Sequence, residues 1–256
     1  MRIYYFDTSV YNKILDSSER KKLIKRMNEE VHCGNVRIIA SLTNLEEILL
    51  ESNVARRKQL IQLTRHLTYS SAFDDPPEIL RRDFDSFLRS RTQSTEAFSD
   101  LDWPMLLKRA ESDELLSDKE WLEARNHAHA RKKKFEKESK QHQKELLPLW
   151  QEYNGKVSFE LFYMKSLALS DLIEGWMTKV YGLENAQILA PQLKENLAKF
   201  ARLRCLLKYC FGLIFDQLVT SPVTKPDYGD SFDMLHAIQI GSCQVFVTAD
   251  KIFLKT

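Results

Sequence analysis

Apolar residues reach this chain in short uncharged bursts near its two ends and at helical spacing in between. Ile3–Phe6 is a β-branched and aromatic run without a charge, which predicts a strand buried on both faces and ending at Asp7. Ser17 and Ser18 then precede Glu19–Val31, where Leu23, Ile24, Met27 and Val31 repeat at helical spacing; Gly34 stands where a left-handed stop belongs. The spacing predicts the first helix there. Val36–Ala40 predicts a second strand, and Ser41 opens a helix whose Leu45, Ile48 and Leu49 share a face. Strand, helix, strand and helix in that order predict parallel strands joined by right-handed crossovers.

From Tyr69 the pattern changes. Asp75-Pro76-Pro77 breaks the chain, 94–104 reads as a loop, and Met105–Gln143 carries polar helical stretches with no strand-like run. Ser158–Val180 and Pro191–Leu218 are apolar at helical spacing again, offering Phe159, Phe162, Leu169, Leu197, Phe200, Leu203 and Leu207 for packing. Near the end the first pattern returns: a proline-containing loop over Ser221–Gly229, a short amphipathic helix over Ser231–Ile240, and a strand over Val245–Thr248 running toward Asp250. The expected organisation is an α/β core from residues 1–70 and 205–256, with an all-helical insertion over 71–204.

Composition narrows the function classes. The 256 residues hold only 7 glycines and 7 prolines, too few turn-makers for a many-stranded sandwich or barrel. Those glycines fall into neither GxGxxG nor GxxxxGK spacing, which argues against a dinucleotide-dependent dehydrogenase and a P-loop ATPase. The 38 basic and 36 acidic residues nearly cancel to +2, so any preference for a polyanion must be local. Cys33, Cys205, Cys210 and Cys243 form no CxxC pair and read as buried thiols in a reducing cytoplasm. Nothing in the sequence resembles a secretory leader or a membrane span.

Ligands of open parallel sheets bind outside the carboxyl ends of the strands, where side chains and loops converge. Asp7 and Asp250 fall at such ends, and the helices carrying Glu47 and Asp233 can lean over the same rim. Two unit charges about 4 Å apart repel by roughly 4 kcal/mol at an effective dielectric near 20, so a cluster of acids calls for a cation or raised pKa values. Carboxylates are hard oxygen ligands that suit Mg2+ or Mn2+.

The strings FDTSVYN at Phe6–Asn12, SLTNLEEIL at Ser41–Leu49 and FDMLHAIQIGSCQVFVTADKIFL at Phe232–Leu254 resemble the PIN-domain nucleases, the group that includes the VapC toxins. That resemblance implies a three-layer α/β/α, Rossmann-like parallel sheet, here with an inserted helical region. It implies that Asp7, Glu47, Asp233 and Asp250 form a catalytic and metal-binding acidic quartet, with Thr8, Ser9 and Thr248 as hydroxyl supports and Asp230 in reserve. The implied activity is a metal-dependent endoribonuclease acting on single-stranded or structured RNA. An antitoxin protein and a second copy of the chain are the partners that come with such a family.

Each acid also has a structural reading. Asp7 can cap the turn that follows it, and Asp230 or Asp233 can cap the helix they begin. Thr43-x-x-Glu46 fits a capping box, which leaves Glu47 as the ligand. His236 reads as a packed histidine rather than a metal ligand. The basic run around Arg131, Lys132, Lys133 and Lys134 is either a solvated helix face or a track for a phosphate backbone. Two further functions remain in view. One is a non-catalytic module that binds RNA or a protein through the helical insertion; the other is a haloacid-dehalogenase-like phosphatase, which would need an acid where Ser9 stands.

Overall fold

In the computed structural model the described residues are 1–68, 70–112, 157–169, 171–215 and 230–249, with isolated positions between 119 and 141. They are mostly helical around a small parallel sheet. The chain divides into two compact units: Met1–Ile79, Glu96–Arg131 and Gln239–Lys255 form one, Leu80–Thr95 and Lys132–Ile238 the other.

The first unit is built on four strands, β1 (Arg2–Phe6), β2 (Val36–Ser41), β3 (Ala72–Phe73) and β4 (Val245–Val247), in the order β3-β2-β1-β4. All pairings are parallel, with Tyr5 opposite Ile39 on one side and Phe246 on the other, and Ser41 opposite Phe73. The chain therefore steps outward from β1 to β3 and returns to the far side of β1 for β4. Helices α1 (Thr8–Asp16) and α2 (Arg20–His32) make the first crossover, and α3 (Leu42–Leu50) and α4 (Val54–Leu67) the second. Phe6, Tyr11, Ile38, Ile48 and Ile61 share its core with Trp103 and Leu107 of α6 (Trp103–Glu111).

Several local outcomes differ from the sequence reading. A helix occupies Thr8–Asp16, where none was expected: Asp7 is its N-cap, accepting from Val10 N, while Val10, Tyr11 and Ile14 supply a buried face. Asp75-Pro76-Pro77 does not interrupt structure but starts α5 (Pro76–Ser90), because proline fits the first helical turn, whose N–H groups have no partner within the helix. Just before it, Ala72–Phe73 pairs with the end of β2 as β3. Gly34 does stop α2 with φ +71°, a conformation that costs glycine little.

The second unit is helical in its described residues. It contains α7 (Phe159–Leu169), α8 (Leu172–Tyr181), α9 (Leu183–Glu195) and α10 (Ala201–Phe215); the division between units falls inside α5 and inside α11 (Asp230–Ile240). The apolar stretch from Ser158 is thus two helices, and Pro191 sits inside α9 instead of opening a helix. Phe84, Phe87, Phe162, Phe200 and Phe211 fill its core, where edge-to-face ring pairs such as Phe87–Phe200 at 5.7 Å recur. A buried ion pair stands in it: Arg202 Nη1 donates to Asp83 Oδ1 at 2.7 Å. No helix among the described residues is long and apolar enough to cross a membrane.

Candidate functional site at the carboxyl edge of the sheet

Strand order reverses at β1, so the crevice of the first unit lies beside the carboxyl end of that strand. Asp7 is the residue there. Its backbone N–H donates to Val247 O of β4 at 3.2 Å, tying it to the end of the neighbouring strand. Its side chain is 3% exposed, and Oδ1 accepts from Val10 N at 3.1 Å and from the Ser9 hydroxyl. Ser9 Oγ in turn accepts from Ala249 N at 2.9 Å, so the segment just past Thr248 is held against the start of α1. The capping role read from the sequence is real, and it fixes the carboxylate in place.

Glu47 comes from one strand over. It lies half-buried on α3, and the Thr8 hydroxyl donates to its Oε2. Thr8 Oγ1 accepts from Asn44 Nδ2 at 3.2 Å, and the same amide donates to Phe6 O at 3.1 Å. Asn44 also belongs to the capping box of α3: Ser41 Oγ accepts from Asn44 N at 3.2 Å, and Ser41 N donates to Asn44 Oδ1 at 3.0 Å. The box is therefore Ser41 with Asn44, not Thr43 with Glu46. β2 continues through Ser41, paired with Phe73, and the first residue with an unpaired donor turn ahead of it is Ser41 itself.

Behind this edge runs a polar chain that no sequence signal announced. Tyr5, Ser41, Asn44 and Gln239 are fully buried. The Tyr5 hydroxyl donates to Gln239 Oε1 and lies 2.9 Å from Ser41 Oγ; Gln239 Nε2 donates to Thr43 Oγ1 at 3.3 Å. Burial raises the Tyr5 phenol well above its ordinary pKa, and the negative charges of Glu47 and Asp7 add to the rise. Burial and Asp7 act on Tyr11 in the same direction. Both phenols thus stay protonated at neutral pH beside two carboxylates. Replacing Asn44 with alanine should cost about 2 kcal/mol, because it removes a cap and leaves buried partners unpaired. Urea unfolding with an unchanged midpoint would contradict that.

Of the remaining sequence-expected residues, Asp233 lies on α11 within the second unit, 9% exposed, where the Tyr209 hydroxyl donates to its Oδ2 at 3.3 Å. His236 is buried on the same helix. Asp250, Arg131 and Lys132 lie outside the described residues, as does the side chain of Asp230; Lys133 and Lys134 are exposed helical positions. The edge offers hard oxygen donors, carboxylate and hydroxyl, which suit Mg2+ or Mn2+ in kind. In number it needs more than Asp7 and Glu47: among the described residues no three His, Cys, Asp or Glu side chains cluster closely enough to hold a metal ion. Comparison with family models, with curated proteins and with solved structures finds no match to this chain.

Proposed function

We propose that the protein is a PIN-like, metal-dependent endoribonuclease that hydrolyses RNA phosphodiester bonds at the carboxyl edge of its parallel sheet. One observation carries the reading: Asp7 after β1 and Glu47 after β2 are held at adjacent strand ends, each by a hydroxyl of the same short segment, Ser9 for Asp7 and Thr8 for Glu47. The sequence motif, rather than any distance, adds Asp233 and Asp250 to the acidic set, with Asp230 in reserve and Thr248 beside it. A three-layer α/β/α arrangement is the fold this reading assumes.

Mg2+ or Mn2+, when bound by these carboxylates, supplies the Lewis acidity that activates water and offsets charge on the phosphate oxygens. The chain's own residues prepare the place. Thr8 and Ser9 orient the two carboxylates before any ligand arrives, so less ordering is left to the moment of binding. The protonated Tyr5 and Tyr11 add no negative charge to an edge that is already anionic. An antitoxin partner and self-association belong to the same proposal, as does a cytoplasmic setting in which the four cysteines, none of them in a disulfide, stay reduced.

Purified protein incubated with a 5′-labelled single-stranded RNA should cut it to fragments with 5′-phosphate and 3′-hydroxyl ends. EDTA should stop the cutting and added Mn2+ should restore it. Protein that retains RNA through Mg2+ and Mn2+ titrations without producing fragments would turn the assignment to the non-cutting module.

A further inference from the structure

The charges of α2 run backwards. Its first seven residues, Arg20-Lys21-Lys22-Leu23-Ile24-Lys25-Arg26, carry five cations and no acid, while Glu29 and Glu30 stand near its end. A helix macrodipole favours the opposite placement, with anions at the N-terminus and cations at the C-terminus. The cap offsets this only in part: the Glu19 carboxylate accepts no backbone hydrogen bond from the helix and stands, exposed, 3.5 Å from Lys22 Nζ. The apolar side of α2 is taken: Ile24, Met27 and Val31 pack against the core of the first unit. Lys21, Lys22, Lys25 and Arg26 are exposed and Arg20 is half-buried, with Lys22 and Lys25 side chains 76% and 80% exposed in long, solvated pairings to Glu19 and Glu29. Among the described residues Arg20, Lys21 and Arg26 form no ion pair. By contrast Arg56 of α4 is bound to Asn12 and bidentately to Asp16.

Chain direction places this cluster. The polypeptide leaves β1 at the carboxyl edge, at Asp7, and enters β2 at the opposite edge, where Arg2 N donates to Asn35 O at 2.9 Å. α2 is the last element of that crossover, so its first turns are the ones nearer the carboxyl edge and its last turn is nearer the amino edge. A concavity of about 480 Å3 runs along the same helix, lined by Lys21, Ile24, Lys25 and Asn28 and, toward its far end, by Glu29 and His32.

We infer that the N-terminal half of α2 is a docking surface for the sugar–phosphate backbone of a single-stranded nucleic acid, guiding it toward the carboxyl edge. Resting on the nuclease reading, the inference names the surface that holds the substrate. Cations spaced one helical turn apart, as Lys21 and Lys25 are, can meet successive phosphates and release counterions as they do so. A membrane surface fits poorly, because an interfacial helix needs exposed apolar residues to insert and here they are already packed.

The test measures binding without cutting. Fluorescence anisotropy of a labelled single-stranded RNA, in EDTA and over a range of NaCl, compares the wild-type chain with an Arg20→Glu/Lys21→Glu/Lys25→Glu variant and with its glutamine counterpart. The glutamate variant should bind at least about tenfold more weakly at low salt. Loss of three phosphate contacts should flatten the slope of log affinity against log salt by about 2. Its melting temperature should equal or exceed the wild-type value, since acids now match the dipole. Should that variant fold poorly, the neutral glutamine chain gives the same comparison, with a smaller expected loss. Equal affinity and equal slope in a folded variant would overturn the inference, and so would a polyglutamate peptide that displaces RNA at equal charge concentration. A chain that binds RNA through α2 yet never cuts it defeats the nuclease reading alone; one that cuts but binds independently of α2 defeats this inference alone.

Discussion

Replacing Asp7 with asparagine should abolish RNA cleavage and leave the first unit folded. Asparagine keeps an oxygen for Val10 N and Ser9 Oγ, and it ranks with aspartate as an N-cap, so stability should change by no more than about 0.5 kcal/mol. What it removes is the charge. A bound cation supplies several kcal/mol of transition-state stabilisation, and losing about 4 kcal/mol of it slows the reaction roughly a thousandfold. The measurement is single-turnover cleavage of labelled RNA beside a thermal melt of the same sample. Full activity in a folded Asp7→Asn protein would refute the hydrolytic assignment, whereas lost activity with lost folding would point back to the cap.

The largest stability effect is expected in the second unit. Asp83 and Arg202 are 1% and 3% exposed; Asp83 Oδ1 accepts from Arg202 Nη1 and from Ser94 N at 3.0 Å, while Asp83 Oδ2 has no hydrogen-bond partner among the described residues. Changing Arg202 to leucine strands a carboxylate in the core and should cost about 3–5 kcal/mol at pH 7.5. The double variant Asp83→Leu/Arg202→Leu should recover most of that loss, because replacing both charges with packed apolar groups removes two desolvation penalties.

The pH dependence has a definite sign. Burial outweighs the guanidinium and pushes the Asp83 carboxyl up to about 6, above its ordinary value of 3.8. The folded chain therefore binds this proton more tightly than the unfolded chain. The stability this group contributes is fully present below about pH 4 and is lost as pH rises through 6. Without Arg202 the carboxyl should rise further, so the deficit of Arg202→Leu should shrink between pH 7.5 and pH 5. Urea unfolding of the three chains at the two pH values checks it. A deficit that grows on acidification would show that the ionised pair, not its burial, dominates.

Some of this architecture was written locally. Ile3–Phe6 and Val245–Thr248 are uncharged β-branched and aromatic runs and Val36–Ala40 is apolar apart from Arg37; each lies in or contains a strand, because side chains of this kind pack well on a pleated, at least half-buried surface. Asp7 was legible for a similar reason: a charge directly after a buried strand must be bonded or used. α1 had its own signal, a cap followed by Val10, Tyr11 and Ile14, which reading Asp7 as a strand end concealed. β3 had none. Two residues carry no periodicity, and Ala72–Phe73 is a strand only because β2 offers it unpaired backbone groups. The basic turns of α2 were visible as letters, but their conflict with the helix dipole had meaning only once the helix and its buried face were known.

The sequence alone thus determined the apolar runs that become strands, the helices around them and the identity of the acids at strand ends, since each depends on residues within a turn or two of one another. The tertiary structure decided what those acids touch. Thr8 meets Glu47, Ser9 meets Ala249 and Tyr5 meets Gln239 across separations of 39, 240 and 234 residues. Such pairs form because parallel pairing brings distant strands into one register, and buried polar groups must then find partners among whatever neighbours that register supplies.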